Sequence, residues 1–462
     1  MTIALYATES LALESIAAAL AAEDLDVHAI TADEIRNINI FGPEITKGVL
    51  IVPKHGAGAE TAWFRSLLGD ERRLILCAVQ PETEGHEKLR SVGATTIITP
   101  RSWAPEHVAE RILGQLIFDG DVTPSACGSI YGATKVMRNA YQEMSVIAPH
   151  SYPVLITGET RTGKELFARE IHNLSKRPDK YIEINCGALS KELAGSELFG
   201  HAKGAYTGAD QPRQGLLLEA GRGTVFLDEI GDLDQEAQVF LLRVLEEKKV
   251  RRLGSNQSEP LQARVVLATH RDLEVQCEKG KFREDLFERI RGFTIELPAL
   301  RYRRADIPLL VQEFVGEFNR KENRQVSIAP GTLDCLFKYH WRGNVRELRS
   351  VIQNAAVFAD ANGSISALRL MQVIQQRRST KVAGRASSGA KHNLNFDPRV
   401  ETWKKFYERA HVAYFQSVLE VAGGNKKEAQ RLSGLGSSQF YENLKTLSRL
   451  DSDDADDAED VS

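Results

Sequence analysis

The chain has 462 residues, of which 42% are hydrophobic and 26% charged, and its formal net charge is −4. This length suits about three domains of roughly 150 residues, and the composition is that of a soluble globular protein. No apolar run approaches the length of a membrane span, and the first residues lack a basic signal-peptide region, so we expect a cytoplasmic protein with no membrane partner. The five cysteines are widely spaced, without a CxxC pair or a Cys/His cluster, and support neither a disulfide framework nor a zinc site.

Residues 1–119 alternate short apolar runs with helical patterns. The apolar runs are TIALYA, GVLIVP, RLILCAV and TTIITP. Alternation of strands and helices predicts a parallel sheet covered by helices, which is an α/β fold. By pattern alone, the order of the runs resembles a response-regulator receiver domain, and we predict a receiver-like regulatory domain here.

The residues on which receiver phosphorylation depends are replaced in this sequence. The resemblance places Pro53 at the position of the phosphoacceptor aspartate and Thr99 at the position of the fifth-strand lysine, and it leaves only Glu9 of the acidic pair. Without clustered carboxylates there is no Mg²⁺ site for phosphoryl transfer. We therefore expect a degenerate receiver that regulates by contact, with a ligand-binding regulatory domain as the alternative.

A second α/β segment spans residues 130–376 and contains the strand, loop and helix pattern PVLITGETRTGKELFAREIH. Its GxxxxGK motif lets backbone N–H groups surround phosphate oxygens, while the following helix directs its positive end at them and the lysine adds a charge. Glu165, directly after the lysine of the motif, stands where Ser or Thr often binds Mg²⁺. The predicted nucleotide-binding residues of this loop are Gly158, Glu159, Thr160, Arg161, Thr162, Gly163, Lys164 and Glu165.

The stretch GTVFLDEIGD (223–232) predicts a buried strand with two carboxylates at its exposed end. Such a pair suits Mg²⁺ coordination by Asp228 and activation of water by Glu229. An apolar strand that ends in two acids is commonplace by itself. Because Asp228 follows the lysine of the phosphate loop by 64 residues, the pair favours ATPase chemistry.

Five motifs of this segment occur in the order found in one known family. They are GETRTGKE, GSELFGHAKGAYTGA, GTVFLDEIGD, FREDLFERI and WRGNVREL. The segment resembles the AAA+ activators of sigma-54 RNA polymerase, the bacterial enhancer-binding proteins, which implies a P-loop ATPase domain with a helical subdomain. In that family the hexapeptide GAYTGA contacts sigma-54, so sigma-54 RNA polymerase is the implied partner. The implied contact residues are Gly204, Ala205, Tyr206, Thr207, Gly208 and Ala209.

The resemblance also assigns roles at the ATP site, with ATP and Mg²⁺ as its cofactors. It places Lys164, Asp228 and Glu229 at the nucleotide, with Asp228 as the metal ligand. Asn185 is similar to the residue that holds the catalytic glutamate until the hexapeptide loop is engaged. Thr269 is similar to the sensor of the γ-phosphate.

Three arginines are similar to residues that complete the site in this family. Arg283 and Arg289 match the arginine fingers that reach the nucleotide of a neighbouring subunit, and Arg346 matches the second sensor. An arginine supplied by a neighbour implies a homo-oligomer, from a dimer to a hexameric ring. Arg161 departs from the family, which usually has glycine there. A side chain at this position restricts the loop backbone at a cost on the order of 1 kcal/mol if φ is positive, or it adds a charge near the phosphates.

The C-terminal part is predicted to bind double-stranded DNA at upstream, enhancer-like sites. Residues 377–394 are expected to be a basic flexible linker and residues 451–462 an acidic tail, while 395–450 resembles a Fis-type helix-turn-helix. Its second helix is poor in basic residues, so a dimerisation helix pair with weak DNA affinity is the other interpretation. The predicted DNA-contacting residues are Ser437, Ser438, Gln439, Asn443 and Lys445.

Three functions remain open from the sequence. The favoured one is a DNA-bound ATPase that remodels sigma-54 polymerase to open promoters. Arg161 motivates a regulator that binds nucleotide, turns over little ATP and acts with another sigma factor. The third possibility is an AAA+ remodeller of some other protein, against which the hexapeptide argues.

Overall fold

The structure is a computed structural model of the whole chain. It describes residues 2–7, 13–30, 45–52, 58–68, 73–78, 91, 94–122, 125–127, 130–205, 211–329, 331–360, 362–383 and 425–433. Residues 1–377 form one compact unit and residues 378–462 a second one. Among the described residues, no helix combines the length and the apolar character needed to cross a membrane.

The N-terminal domain is built on a parallel five-stranded sheet in the order β2-β1-β3-β4-β5, which confirms the predicted fold class. Successive side chains of a strand point to opposite faces of a sheet. Accordingly, Ile3 and Leu5 pack with α1 on one face, while Ala4 packs with α2 on the other. The elements are β1 (Thr2–Ala7), α1 (Leu13–Ala21), β2 (Asp26–Ala29), β3 (Ile45–Val52), α2 (Gly58–Leu68), β4 (Arg73–Ala78), β5 (Thr96–Ile98) and α3 (Pro105–Phe118).

Of the receiver positions singled out in the sequence, Thr99 lies among the described residues. Strand β3 ends at Val52, one residue before Pro53, and Thr99 follows β5 as a buried residue. Pro53 and Glu9 themselves lie outside the described residues. The replacement of receiver chemistry therefore remains a prediction from the sequence.

The second segment begins with a short antiparallel pair and continues into a parallel sheet in the order β16-β8-β15-β12-β9. Its three central strands, β8, β12 and β15, are nearly continuous apolar runs because helices cover both faces of the sheet. The strands are β6 (Ser125–Cys127), β7 (Ile130–Gly132), β8 (Val154–Thr157), β9 (Tyr181–Asn185), β10 (Gly200–His201), β11 (Arg213–Gln214), β12 (Thr224–Asp228), β13 (Lys249–Arg251), β14 (Ser258–Pro260), β15 (Arg264–Thr269) and β16 (Thr294–Glu296).

The helices of this segment pack on the two faces of that sheet. Leu155 and Leu227 face a core shared with Leu241, whereas Ile156 and Phe226 face the opposite core. The α-helices are α4 (Lys135–Ile147), α5 (Lys164–Leu174), α6 (Lys191–Phe199), α7 (Leu216–Glu219), α8 (Gln235–Glu247), α9 (Leu273–Glu278) and α10 (Glu284–Ile290). Four 3₁₀ turns span Cys186–Ala188, Ile230–Asp232, Leu300–Tyr302 and Arg304–Asp306.

A helical subdomain follows and surrounds the buried Trp341. It comprises α11 (Ile307–Glu322), β17 (Ser327–Ile328), α12 (Thr332–Lys338), α13 (Asn344–Val357), β18 (Ser364–Ile365) and α14 (Ala367–Ala383). Helix α14 continues to Ala383, so the flexible linker expected from residue 377 is wrong for its first seven residues. These residues, RRSTKVA, contain no helix breaker, and Gly384 is the first one after them.

The N-terminal domain docks on the helical subdomain through α3. The Nε of Arg111 donates to Oδ1 of Asp334 at 2.7 Å, and both side chains are at least 96% buried. The Arg111 guanidinium also lies 4.8 Å from the centre of the Phe337 ring. Gly114 admits that ring because a Cβ there would lie 2.5 Å from the Phe337 side chain. The contact is therefore charged, closely packed and buried.

Candidate active site

The phosphate loop joins β8 to α5, as the sequence predicts. Gly158 has φ +145° and Gly163 has φ +114°, values that side chains rarely adopt. A Cβ on Gly158 would lie 2.6 Å from the carbonyl oxygen of Leu297, so close packing requires glycine there as well. Lys164 is the first residue of α5, and the backbone N–H groups of the first helical turn point toward the loop.

Lys164 is buried beneath this loop. Its Nζ donates to the carbonyl oxygens of Gly158 at 3.0 Å and Glu159 at 3.2 Å. Burial lowers the pKa of Lys164, and the nearby carboxylates of Glu229 and Asp228 act in the opposite direction. The buried Lys164 ammonium group therefore lies beside loop carbonyl oxygens and near two carboxylates, a position suited to bind phosphate oxygens.

The loop is tied to the helical subdomain through Glu159. Both oxygens of its carboxylate accept from the Arg301 guanidinium, and the longer of the two hydrogen bonds is 2.8 Å. The Asn344 amide donates to Glu159 Oε2 and to the Thr160 carbonyl oxygen, each at 3.1 Å. The hydrogen bonds from Arg301 hold the pKa of Glu159 below its usual value. We call Glu159, Arg301 and Asn344 the loop clamp; sequence reasoning missed the last two, although Asn344 lies within the quoted motif WRGNVREL.

Arg161 adopts the left-handed backbone conformation, with φ +69°. Its side chain is exposed, and the loop retains the conformation that a glycine would favour at this position. A residue with a Cβ in this region costs about 1 kcal/mol more than glycine. The restriction considered from the sequence therefore has a structural basis.

We expect Arg161→Gly to be about 1 kcal/mol more stable than Arg161→Ala, because both remove the charged group and only alanine retains a Cβ. Chemical denaturation of the two variants measures the difference. Equal stability, or greater stability of the alanine variant, would contradict a left-handed backbone at residue 161.

The two predicted carboxylates lie at the carboxyl end of β12. Burial is the main cause of the raised pKa of Asp228, and the adjacent Glu229 adds to it. Glu229 is itself left-handed, with φ +54° and ψ +49°, and its carboxylate oxygen Oε2 lies 2.5 Å from Nδ1 of His270. His270 was not identified from the sequence, because nothing local to it marks a partner 41 residues away.

Neighbouring strands bring the other predicted residues to the same edge. Asn185 is in register with Asp228 across the β9–β12 pair. Thr269 ends β15, is fully buried, and its Oγ1 accepts from the Arg271 main-chain N–H at 3.0 Å. Among the hydrogen bonds of the described residues, Glu229 has none with Asn185. The holding role implied for Asn185 thus stays a prediction, and His270 occupies the contact.

The hexapeptide belongs to the chain segment between β10 and β11, which pair as a small antiparallel ribbon. His201 lies at its base, where Nδ1 is 2.7 Å from the Ser196 hydroxyl and Nε2–H donates to the Gln211 carbonyl oxygen at 3.0 Å. Gly204 and Ala205 are described. The predicted sigma-54 contacts Tyr206, Thr207, Gly208 and Ala209 lie outside the described residues.

Two known protein families match consecutive parts of this chain. Residues 130–296 match the family described as "Sigma-54 interaction domain", and residues 301–387 match "AAA+ ATPase lid domain". The transcriptional regulatory protein ZraR of Escherichia coli O157:H7 is 40% identical over 368 residues, which are 78% of this chain and 79% of ZraR. The Nif-specific regulatory protein of Azotobacter vinelandii is 37% identical over 69% of this chain and 59% of its own length. A crystal structure of NtrX from Brucella abortus with ADP covers 97% of this chain and 99% of that one, at 24% identity and a TM-score of 0.49.

The chain belongs to the sigma-54-dependent transcriptional regulators. Membership confirms the family predicted from the five motifs and the α/β AAA+ domain with its helical lid. Because the matched domain is defined by its interaction with sigma-54, sigma-54 RNA polymerase is the partner that membership implies.

The three predicted arginines of this regulator are exposed. Arg283 is exposed and ion-paired with Asp285, through bonds of 2.6 and 3.0 Å. Arg289 donates to the Leu245 carbonyl oxygen at 3.1 Å, and Arg346 is exposed on α13. Among the described residues, none of the three forms a hydrogen bond or an ion pair with the phosphate loop of its own chain.

The predicted DNA-binding residues of the regulator cannot be compared with the structure. Ser437, Ser438, Gln439, Asn443 and Lys445 lie outside the described residues. The described part of that region is helix α15 (Lys426–Ser433), whose start is capped by Asn425 Oδ1 accepting from the Lys427 N–H at 3.1 Å. This helix lies within residues 395–450, the part of the chain that resembles a helix-turn-helix.

Proposed function

We propose that this regulator is an ATP-dependent activator that binds DNA and remodels sigma-54 RNA polymerase to open promoters. The observation that carries the proposal is the convergence of Lys164, Asp228, Glu229 and Thr269 at one edge of the sheet, next to a glycine-containing phosphate loop. The hexapeptide lies in the same domain, in the chain segment between the paired strands β10 and β11. An ATP site and a partner-contacting loop in one domain suit the conversion of hydrolysis into movement.

In the proposed mechanism, ATP phosphates take the place of the loop carbonyls as partners of Lys164 Nζ. Glu229 accepts the proton of the attacking water, and Thr269 contacts the γ-phosphate. In this mechanism Asp228 is the ligand and Glu229 is the base. The two adjacent residues differ in backbone conformation, since Glu229 is left-handed and Asp228 is not.

Mg²⁺ fits this site as a metal bound mainly through phosphate oxygens. Asp228 accepts one hydrogen bond, from the Glu229 N–H at 2.9 Å, and therefore keeps oxygen lone pairs for a cation. Among the described residues, no group of three or more His, Cys, Asp and Glu side chains forms a protein metal cage. One carboxylate plus substrate phosphates is the usual arrangement for Mg²⁺, which neutralises charge that develops on the phosphates.

The proposed assembly is a homo-oligomer, from a dimer to a hexameric ring. Arg283 and Arg289 lie at the surface of the domain, which suits donation to the nucleotide of a neighbouring subunit. Arg346 on the lid serves as the second sensor.

DNA binding is assigned to residues 395–450, where helix α15 supports a helical domain. The N-terminal domain regulates by contact, and its buried Arg111–Asp334 ion pair with the lid supports this role.

We expect Thr207→Ala to reduce open-promoter formation with sigma-54 holoenzyme by at least about 10-fold while ATP hydrolysis stays near the parent rate. The reason is that the hexapeptide contacts the polymerase and lies outside the ATP site. Open complexes are measured by permanganate footprinting and hydrolysis by phosphate release. Thr294→Ala, at an exposed threonine on β16, is the matched control.

Loss of hydrolysis in Thr207→Ala, or unchanged promoter opening, would remove the coupling role from the hexapeptide. Holoenzyme with another sigma factor forms the second arm, with and without ATP. Opening that needs this other sigma factor and proceeds without hydrolysis would favour the nucleotide-binding regulator with little turnover. Arg161 motivates that second function, but the loop accommodates Arg161 in the conformation expected of glycine.

A further inference from the structure

Glu229 lies between two possible partners on opposite sides. The central sheet places β12 between β15 and β9. His270 directly follows β15, and Asn185 ends β9. A carboxylate at the end of β12 can therefore be held toward either neighbouring strand.

In this structure Glu229 is held on the β15 side. Its Oε2 lies 2.5 Å from Nδ1 of His270, and the His270 main-chain N–H donates to the same oxygen at 3.4 Å. The Glu229 side chain is 16% exposed and the His270 side chain 37% exposed. Both donors belong to one residue, so backbone and ring together fix the direction of the carboxylate.

The backbone around His270 is itself fixed. The Arg271 N–H donates to the Thr269 hydroxyl at 3.0 Å, and the Arg271 guanidinium is ion-paired with Asp232. Asp232 belongs to the 3₁₀ turn that follows Glu229. The turn at residues 269–271 is therefore closed by its own hydrogen bond and tied to the turn after Glu229 by one ion pair.

The β15 side is the side of the phosphate loop. Strand β15 also pairs with β8, the strand that leads into the loop, whereas β9 lies on the far side of β12. A carboxylate drawn toward His270 thus turns toward the loop and Lys164, and one drawn toward Asn185 turns away.

We propose that His270 is a positioning residue that holds Glu229 on the phosphate side during ATP hydrolysis. This proposal rests on the proposed ATPase function. The Nδ1–H donates to Oε2 and leaves Oε1 to accept the proton of water. The water oxygen bonds to the γ-phosphorus, the bond from that phosphorus to the bridging oxygen breaks, and ADP leaves with the electron pair.

The contact through Nδ1 provides a matched pair of variants. An asparagine amide can reproduce the position of Nδ1, whereas a glutamine amide reproduces that of Nε2. We expect His270→Ala and His270→Gln to lower kcat about 10-fold to 100-fold, with KM changed less than about threefold, because misplaced catalytic groups reduce kcat. His270→Asn is expected to retain at least about half of the parent kcat. His340→Ala, at an exposed histidine of the lid, controls for the loss of a ring.

Steady-state phosphate release gives kcat and KM, and fluorescent-nucleotide titration gives ATP affinity. In a Glu229→Gln background, His270→Ala is expected to cause no further loss, because it acts only through Glu229. Equal rates for the Asn and Gln variants, an unchanged kcat in His270→Ala, or a further loss in the double variant would each overturn the positioning role. If the parent protein itself does not hydrolyse ATP, the proposed function fails instead.

Discussion

Glu229→Gln is expected to lower ATP hydrolysis by at least about 100-fold while ATP affinity stays within about twofold. The amide keeps the size of the side chain but cannot accept a proton from water. The pKa of neighbouring Asp228 is raised partly by the Glu229 charge, so the neutral amide leaves Asp228 more readily ionised for a cation. Phosphate release and nucleotide titration measure the two effects separately.

The matched control is Glu236→Gln, which neutralises an exposed acid in the first turn of α8. We expect it to leave both hydrolysis and affinity at the parent level. Hydrolysis by Glu229→Gln within about threefold of the parent would contradict its role as the base. A parallel loss of ATP affinity would indicate damage to the loop rather than to the chemical step.

Arg111→Ala is expected to destabilise the N-terminal domain and lid by about 3–5 kcal/mol, because it leaves the Asp334 carboxylate buried without its partner. The alanine also removes the guanidinium that lies against the Phe337 ring. Denaturant unfolding of the full chain, followed by circular dichroism, measures the shift of the first transition.

Two further variants distinguish the effect of a buried, unpaired Asp334 carboxylate from the loss of any arginine side chain. The double variant Arg111→Met with Asp334→Leu removes both buried charges, and we expect it to recover most of the lost stability. Arg349→Ala breaks an ion pair with Glu317 that is far more exposed, and less than about 1 kcal/mol should be lost. Similar losses in Arg111→Ala and Arg349→Ala would show that the Arg111 pair is not dry in solution.

The parts of the site that depend on short spacing could be predicted from the sequence. The loop from Gly158 to Lys164 and the acids at the end of β12 follow from local pattern, and parallel strands bring them to one edge. Partners far apart in the chain could not be predicted, because a single arginine or histidine carries no local signal. Arg301 and His270 are such cases: their partners Glu159 and Glu229 lie 142 and 41 residues away.

For the fold as well, local features could be predicted and contacts between distant parts of the chain could not. The four apolar runs of residues 1–119 predicted β1, β3, β4 and β5 of the first sheet, since each run is long enough to be a buried strand, whereas β2 was not predicted. The docking of α3 on the lid was not predictable, because Arg111 and Asp334 are 223 residues apart and each alone resembles a surface charge. The end of α14 was misplaced because the abundance of small and basic residues after 376 outweighed the absence of glycine or proline before Gly384.

The loop clamp has a consequence for how this protein opens. The Glu159 carboxylate and the Thr160 carbonyl oxygen belong to the phosphate loop, yet the groups that bind them come from the lid, up to 185 residues later in the chain. Neither segment can fluctuate away without breaking these hydrogen bonds. The loop and the start of α13 therefore form one cooperative unit of local unfolding, although chain connectivity separates them. Any ligand that binds the loop lengthens the lifetime of that unit as a whole, so occupancy of the loop is transmitted to the lid through these hydrogen bonds.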